Sequence, residues 1–205
     1  DGAQVNAGNG ILLQAMVEDN PRMIERRLAA EKARRERDAV AIARTSGPIV
    51  GEQAVSTAAN AGSPDVAATL RNAELRGDLL NTRTAEGALV VKLEHASLHG
   101  AISSGTQRPV AGEGTVLTRA NFWQIGEVLN TLGPVAAARA VEVSVDAASS
   151  WTVTHTSYLT SLTLAPGARL LAPAGMRLVL SVDGRQQPVA AGHYQGALVL
   201  QVEAL

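Results

Sequence analysis

A carboxylate beside two histidines is the first place to look for metal chemistry, and the chain offers Glu94, His95 and His99. On a helix, histidines four apart point both rings at one ion, with an intervening glutamate as general base. Here Glu94 precedes both histidines and the segment alternates like a strand. A strand sets residues four apart about 13 Å from each other, too far for one ion. No metal and no other cofactor is expected. A second cluster, Trp151, His155 and Tyr158, has the composition of a sugar platform. Trp151 alternates inward with Val153, which leaves His155, at a turn, and Tyr158 as the candidate glycan contacts. A nucleophilic serine needs a Gly-x-Ser-x-Gly elbow, which this sequence lacks, and Gly8-Asn9-Gly10 does not have the spacing of a phosphate-binding loop. Asp146, Asp183 and Glu142 fall singly near turns or on outward positions, as solubilising residues do. No catalytic residue is expected, and the chain reads as a non-enzyme.

Composition narrows the classes further. The chain has 205 residues, 18 of them basic and 19 acidic, and 46% are hydrophobic. That balance excludes a general electrostatic nucleic-acid binder, and the aliphatic content excludes disorder. No apolar run approaches the roughly 20 residues of a membrane-spanning helix. Without cysteine there are no thiolate zinc sites, disulfides or cysteine nucleophiles. A chain that opens on Asp1 with no signal-like start is expected to be a processed or trimmed piece of something longer.

The elements that position these residues change character along the chain. Residues 1–19 carry apolar Val5 and Ile11-Leu12-Leu13 between Asn-Gly turn signals, and predict a strand near 10–17. Asn20-Pro21 starts a helix that runs to about residue 44, because asparagine caps free N–H groups and proline loses nothing at the first helical position. Met23, Ile24 and Leu28 make an apolar stripe at one end, and Val40 and Ile42 resume it at the other. Between them Arg34, Arg35 and Arg37 alternate with Glu31, Glu36 and Asp38, so the middle must lie wet. The stripe residues and the three arginines are the candidate partner contacts. Residues 45–70, rich in Ala, Gly and Pro, read as a loop with a helical turn near 64–72. Beyond residue 75 a period of two takes over: Leu89/Val91/Leu93, Val141/Val143/Val145, Trp151/Val153, Leu162/Leu164, Leu178/Leu180/Val182 and Leu198/Leu200/Val202. Residues 119–132, with Asn121-Phe122-Trp123 before Gly133-Pro134, predict one short helix.

From Val143 to Leu162, Leu180 and Leu200 the strands recur every 20 residues or so, the span of one solenoid coil. A sandwich fits that periodicity equally well. The run Trp151-Thr152-Val153-Thr154, Leu162-Thr163-Leu164, Ala165-Pro166-Gly167 and Ala191-Gly192-His193-Tyr194-Gln195-Gly196 decides between them. It resembles passages of secreted bacterial right-handed parallel β-helix proteins of the adhesin and autotransporter-passenger kind. Phe122-Trp123-Gln124-Ile125-Gly126 and Gly10-Ile11-Leu12-Leu13-Gln14 look like neighbouring segments of the same proteins. The likeness covers about half the chain. It departs in the long helix, where a short acidic loop is usual, and in the lack of a translocator barrel after Leu205.

The resemblance implies a mainly β fold: a right-handed parallel β-helix portion with one long inserted α-helix and a C-terminal capping strand pair. The expected divisions are a coil at 1–19, the helix at 20–46, a connection at 47–74, coils at 75–175 and a coil and cap at 176–205. It further implies a non-catalytic, secreted or cell-surface structural or adhesive protein that displays binding surface to a protein or glycan. A polysaccharide-active β-helix enzyme is the alternative. A subunit that self-associates through coil ends or the helix is a further one.

Overall fold

Alternating Val-x-Val and Leu-x-Leu runs form strands because one side of each can be buried while the other stays wet. The computed structural model describes residues 3–16, 65–110 and 127–205, positions 112, 118 and 120–124, and the single positions 29, 32, 33 and 36. The chain falls into two units: Asp1–Val17, Gly62–Arg108 and Leu129–Leu205 in the first, Glu18–Ala61 and Pro109–Val128 in the second.

The strands are β1 (Ala3–Ala15), β2 (Val66–Arg71), β3 (Ala73–Asn81), β4 (Leu89–Glu94), β5 (Ser97–His99), β6 (Ile102–Pro109), β7 (Val128–Leu132), β8 (Val141–Val145), β9 (Ser150–Thr152), β10 (Ser157–Leu164), β11 (Arg169–Leu171), β12 (Met176–Val182), β13 (Arg185–Gln187) and β14 (Gly192–Ala204). They form two seven-stranded sheets. Sheet A runs β11-β9-β5-β3-β6-β7, with β1 also on β3; sheet B runs β13-β12-β14-β10-β8-β4-β2.

Four strand pairs, β2–β3, β4–β5, β8–β9 and β10–β11, each send one strand to sheet B and the next to sheet A, in parallel register. Inward side chains therefore stack in rows. Leu75, Leu98, Trp151 and Leu170 line up in sheet A, and Leu70, Leu93, Val145 and Leu164 in sheet B. Both rows belong to one apolar core, whose largest fully buried side chain is Trp151. Its indole N–H donates to the Gly100 carbonyl at 2.9 Å, so the one polar atom of that ring is satisfied. The sharp corners between paired strands put Asn72 and His95 in the left-handed region, at φ 51 and 52°.

The architecture corrects the expected one: both sheets are mixed, not the all-parallel coils of a β-helix. β14 runs antiparallel to β10 and to β12, and β12 antiparallel to β13. The bonds Gly133 N–H to Ser104 C=O and Val110 N–H to Glu127 C=O pair β6 with β7 in opposite directions as well. Residues 176–205, expected as a coil and capping strand pair, are three strands built into sheet B. The cause is Asp183-Gly184. Both residues take positive φ, 50 and 76°, and join Val182 to Arg185 in a two-residue hairpin. That dipeptide between alternating apolar runs is a strong hairpin signal; read as a coil corner, it misdirects the topology.

Two local expectations change too. The stretch read as a loop at 45–70 contains β2, whose Ala-rich sequence is drawn into strand by pairing along all six residues with β4. The helix expected at 119–132 is a single 3-10 turn, Phe122–Gln124, followed by β7. Asn121 Oδ1 accepts the Thr118 N–H there at 2.6 Å, and the exposed Trp123 indole donates to the Ala120 carbonyl. The charged helix expected at 20–46 lies outside the described residues, apart from exposed Ala29, Lys32, Ala33 and Glu36. Those four positions are α-helical, and no other described residue is.

Candidate functional site

The expected partner contacts Met23, Ile24, Leu28, Arg34, Arg35 and Arg37 lie outside the described residues. His95 and His99 do not sit on one continuous strand. His95 occupies the corner after β4, and His99 ends β5 in the other sheet, exposed. Among the described residues no group of three His, Asp or Glu side chains could hold a metal ion.

What His95 meets is Asp146, across the next corner. The Asp146 carboxylate accepts the His95 N–H at 3.0 Å, the Ala148 N–H at 3.1 Å and the Ser149 hydroxyl at 2.6 Å. The His95 imidazole Nδ1 stands 3.4 Å away. The Ser149 hydroxyl, with the His95 and Ala148 N–H groups, holds the carboxyl below the usual carboxylate range. Asp146 thus ties the β8–β9 corner to the β4–β5 corner. Its contribution is present above the unfolded carboxyl pKa of about 4 and is lost as pH falls through the lower folded value. Thermal melts between neutral pH and pH 3 should show a steeper acid loss in the wild type than in Asp146→Asn. Identical slopes would mean that the carboxylate charge does not hold the corner.

A second carboxylate group lies at the start of β2. Arg139 donates to Glu142 at 2.6 Å and to Asp65 at 2.9 Å, and Asp65 Oδ1 also accepts the Ala88 N–H at 2.9 Å. The Ala88 bond, then Arg139, draws the Asp65 pKa down, and the two carboxylates hold Arg139 more firmly protonated. Asp65 and Arg139 border an open depression of about 650 Å³ with Glu86 and Thr84. These acids are engaged in fastening strands: Asp78 likewise accepts the Ala101 N–H, 23 residues on, as Asp65 does from Ala88.

The outward face of sheet A carries an ordered array of polar side chains. Parallel register aligns Gln4, Glu74, Ser97, Ser150 and Arg169 in one row, and Asn6, Arg76, His99, Thr152 and Leu171 in the next. Five strands make each row roughly 19 Å long at the usual strand spacing. Within the first row Gln4 donates to Glu74 and the Ser97 and Ser150 hydroxyls meet at 2.9 Å. Arg76 pairs with Glu74 at 3.4 Å. Local alternation marks each of these residues as outward, but only the pairing of distant strands makes a row.

The two candidate glycan contacts separate. His155 is exposed on the turn between β9 and β10, its Nδ1 2.9 Å from the Thr154 hydroxyl. Tyr158 lines a groove of about 320 Å³ together with Pro134, Val135, Gln195 and Leu198, and His155 is not part of that lining. Comparison with protein-family models, with curated proteins and with solved structures finds no match. The resemblance to β-helix adhesins is therefore overturned by the mixed sheets and has no relative to support it.

Proposed function

We propose that this chain is a non-catalytic structural protein, secreted or held at a cell surface, that presents a binding face to a protein or glycan partner. The observation that carries this reading is the pair of aligned polar rows on sheet A. Sites for small substrates are concave and close around their ligand. A sheet face with side chains repeating at strand spacing suits an extended surface or polymer instead. The carboxylates support the same reading. A glycan-cleaving acid needs a carboxyl kept protonated near neutral pH. Asp65 and Asp146 are shifted the other way, by the Ala88 N–H and the Ser149 hydroxyl first of all.

Antibodies raised against the chain should label intact producing cells or detect it in the medium. Beads coated with it should adhere to a surface displaying the partner roughly tenfold less well when Arg76 and His99 are both changed to Glu, with melting unaltered. Detection only inside intact cells would overturn the location. Turnover of any glycan that a single Asp or Glu substitution abolishes would overturn the non-catalytic reading.

A further inference from the structure

The groove beside β14 holds two polar side chains that have no hydrogen-bond partner among the described residues. Between the Leu159–Leu198 and Ser161–Gln195 pairs, Thr160 of β10 is opposed by both Gly196 and Ala197, a bulge in β14. Asp183 pins it: the Asp183 N–H donates to the Ala197 carbonyl and Oδ1 accepts the Ala197 N–H, both at 2.9 Å. Gly196 sits at φ 129°, and a Cβ there would lie 2.7 Å from the Asp183 carboxylate, so the bulge requires glycine. Bulges of this kind re-aim side chains and cluster beside binding sites.

The opposite wall is fixed just as firmly. The Thr160 hydroxyl accepts the Ala140 and Val141 N–H groups, and the Ser104 hydroxyl donates to the Gly133 carbonyl. Tyr158 is anchored through its backbone, donating to the Ser103 hydroxyl and accepting from that of Ser104. Among the described residues its phenol hydroxyl has no hydrogen-bond partner, and neither has the Gln195 carboxamide. Tyr194 shows the contrast, since its hydroxyl engages Pro188 and Ala190 at 2.9–3.1 Å.

We propose that this groove binds a single neutral saccharide unit. Its lining carries no carboxylate, guanidinium, ammonium or imidazole, which disfavours a charged ligand. Pro134 and Val135 supply apolar contact for a ring face, and the Tyr158 hydroxyl and Gln195 carboxamide supply bonds for ring hydroxyls. At about 320 Å³ the space is at the small end of ligand sites, enough for one ring. The proposal rests on the non-catalytic binding reading and assigns it a ligand class at one place.

The test is an amide-resolved NMR titration of the whole chain with glucose, galactose, mannose and N-acetylglucosamine in turn, and with glucuronate as the charged comparison. At least one neutral sugar should shift the Tyr158 and Gln195 amides saturably. Tyr158→Phe and Gln195→Ala should each weaken it roughly three- to tenfold. Gln195 is exposed, so its replacement leaves the fold intact even if Tyr158→Phe does not. No saturable shift with any neutral sugar, affinity unchanged in Gln195→Ala, or glucuronate binding as tightly as the neutral sugars would each overturn the proposal. A failed titration leaves the surface-display reading standing, because that reading fails on turnover or location instead.

Discussion

Gly100→Ala should lower stability by on the order of 3 kcal/mol, read as a shift of the denaturant midpoint. A Cβ at Gly100 would lie 2.0 Å from the Gly77 carbonyl oxygen and 2.6 Å from its carbon, so backbone meets backbone and no rotamer change relieves it. Moving the chain aside breaks other bonds at the same point. Gly100 donates its N–H to the Thr152 carbonyl at 3.1 Å, accepts the Trp151 indole at 2.9 Å, and precedes Ala101, which is held by Asp78 at 2.7 Å. Gly8→Ala is the control, since a Cβ there meets nothing within 4 Å. Its effect should stay within about 0.5 kcal/mol. If the two variants melt alike, the close passage of Gly100 over Gly77 is not a constraint on this fold.

The second large effect belongs to Trp151→Ala. Trp151 is 0% exposed and stands between Leu98 and Leu170 in the inward row of sheet A. Removing it opens a cavity that β5 and β11 cannot close without leaving register, an expected loss of about 3–5 kcal/mol. Trp151→Phe keeps most of the volume but leaves the Gly100 carbonyl without its indole donor, for an expected loss of about 1–3 kcal/mol. Trp123, 59% exposed, should tolerate alanine with little change. Unfolding followed by fluorescence reports the same residue, because the buried indole should shift to longer wavelength as it meets water. Equal stability of Trp151→Ala and Trp123→Ala would contradict a core built around Trp151.

The strands themselves were legible because burial on one side writes itself into alternation, as in Val141–Val145, whose three valines are buried and whose Glu142 and Ser144 are half-exposed. The inward place of Trp151 was legible for the same reason. Pairing direction was not, since a parallel and an antiparallel strand show the same period. The one local signal that bears on it, Asp183-Gly184, also fits a corner. β2 is not legible, because Val66-Ala67-Ala68-Thr69 has weak preferences that its pairing with β4 overrides. The site was harder still. The rows Glu74–Ser97–Ser150 and Arg76–His99–Thr152 exist only once register is known. Nor does anything local to Tyr158 announce a groove whose walls come from 134–138 and 195–199.

The antiparallel pairing of β6 and β7 has a bearing on how such a chain can diversify. Val110 and Glu127 are bonded at 2.9 Å, so the chain ends of this strand pair are closed at a neck. For a segment already closed at its neck, each doubling of length adds only about 0.6 kcal/mol of closure entropy. The partners of β5 tolerate the detour, for Ser97 meets Ser150 53 residues later in the register that Asp78 and Ala101 keep over 23. Length variation at this neck is therefore nearly invisible to the sheets. A peptide tag recombined there would leave the aligned rows of sheet A in register.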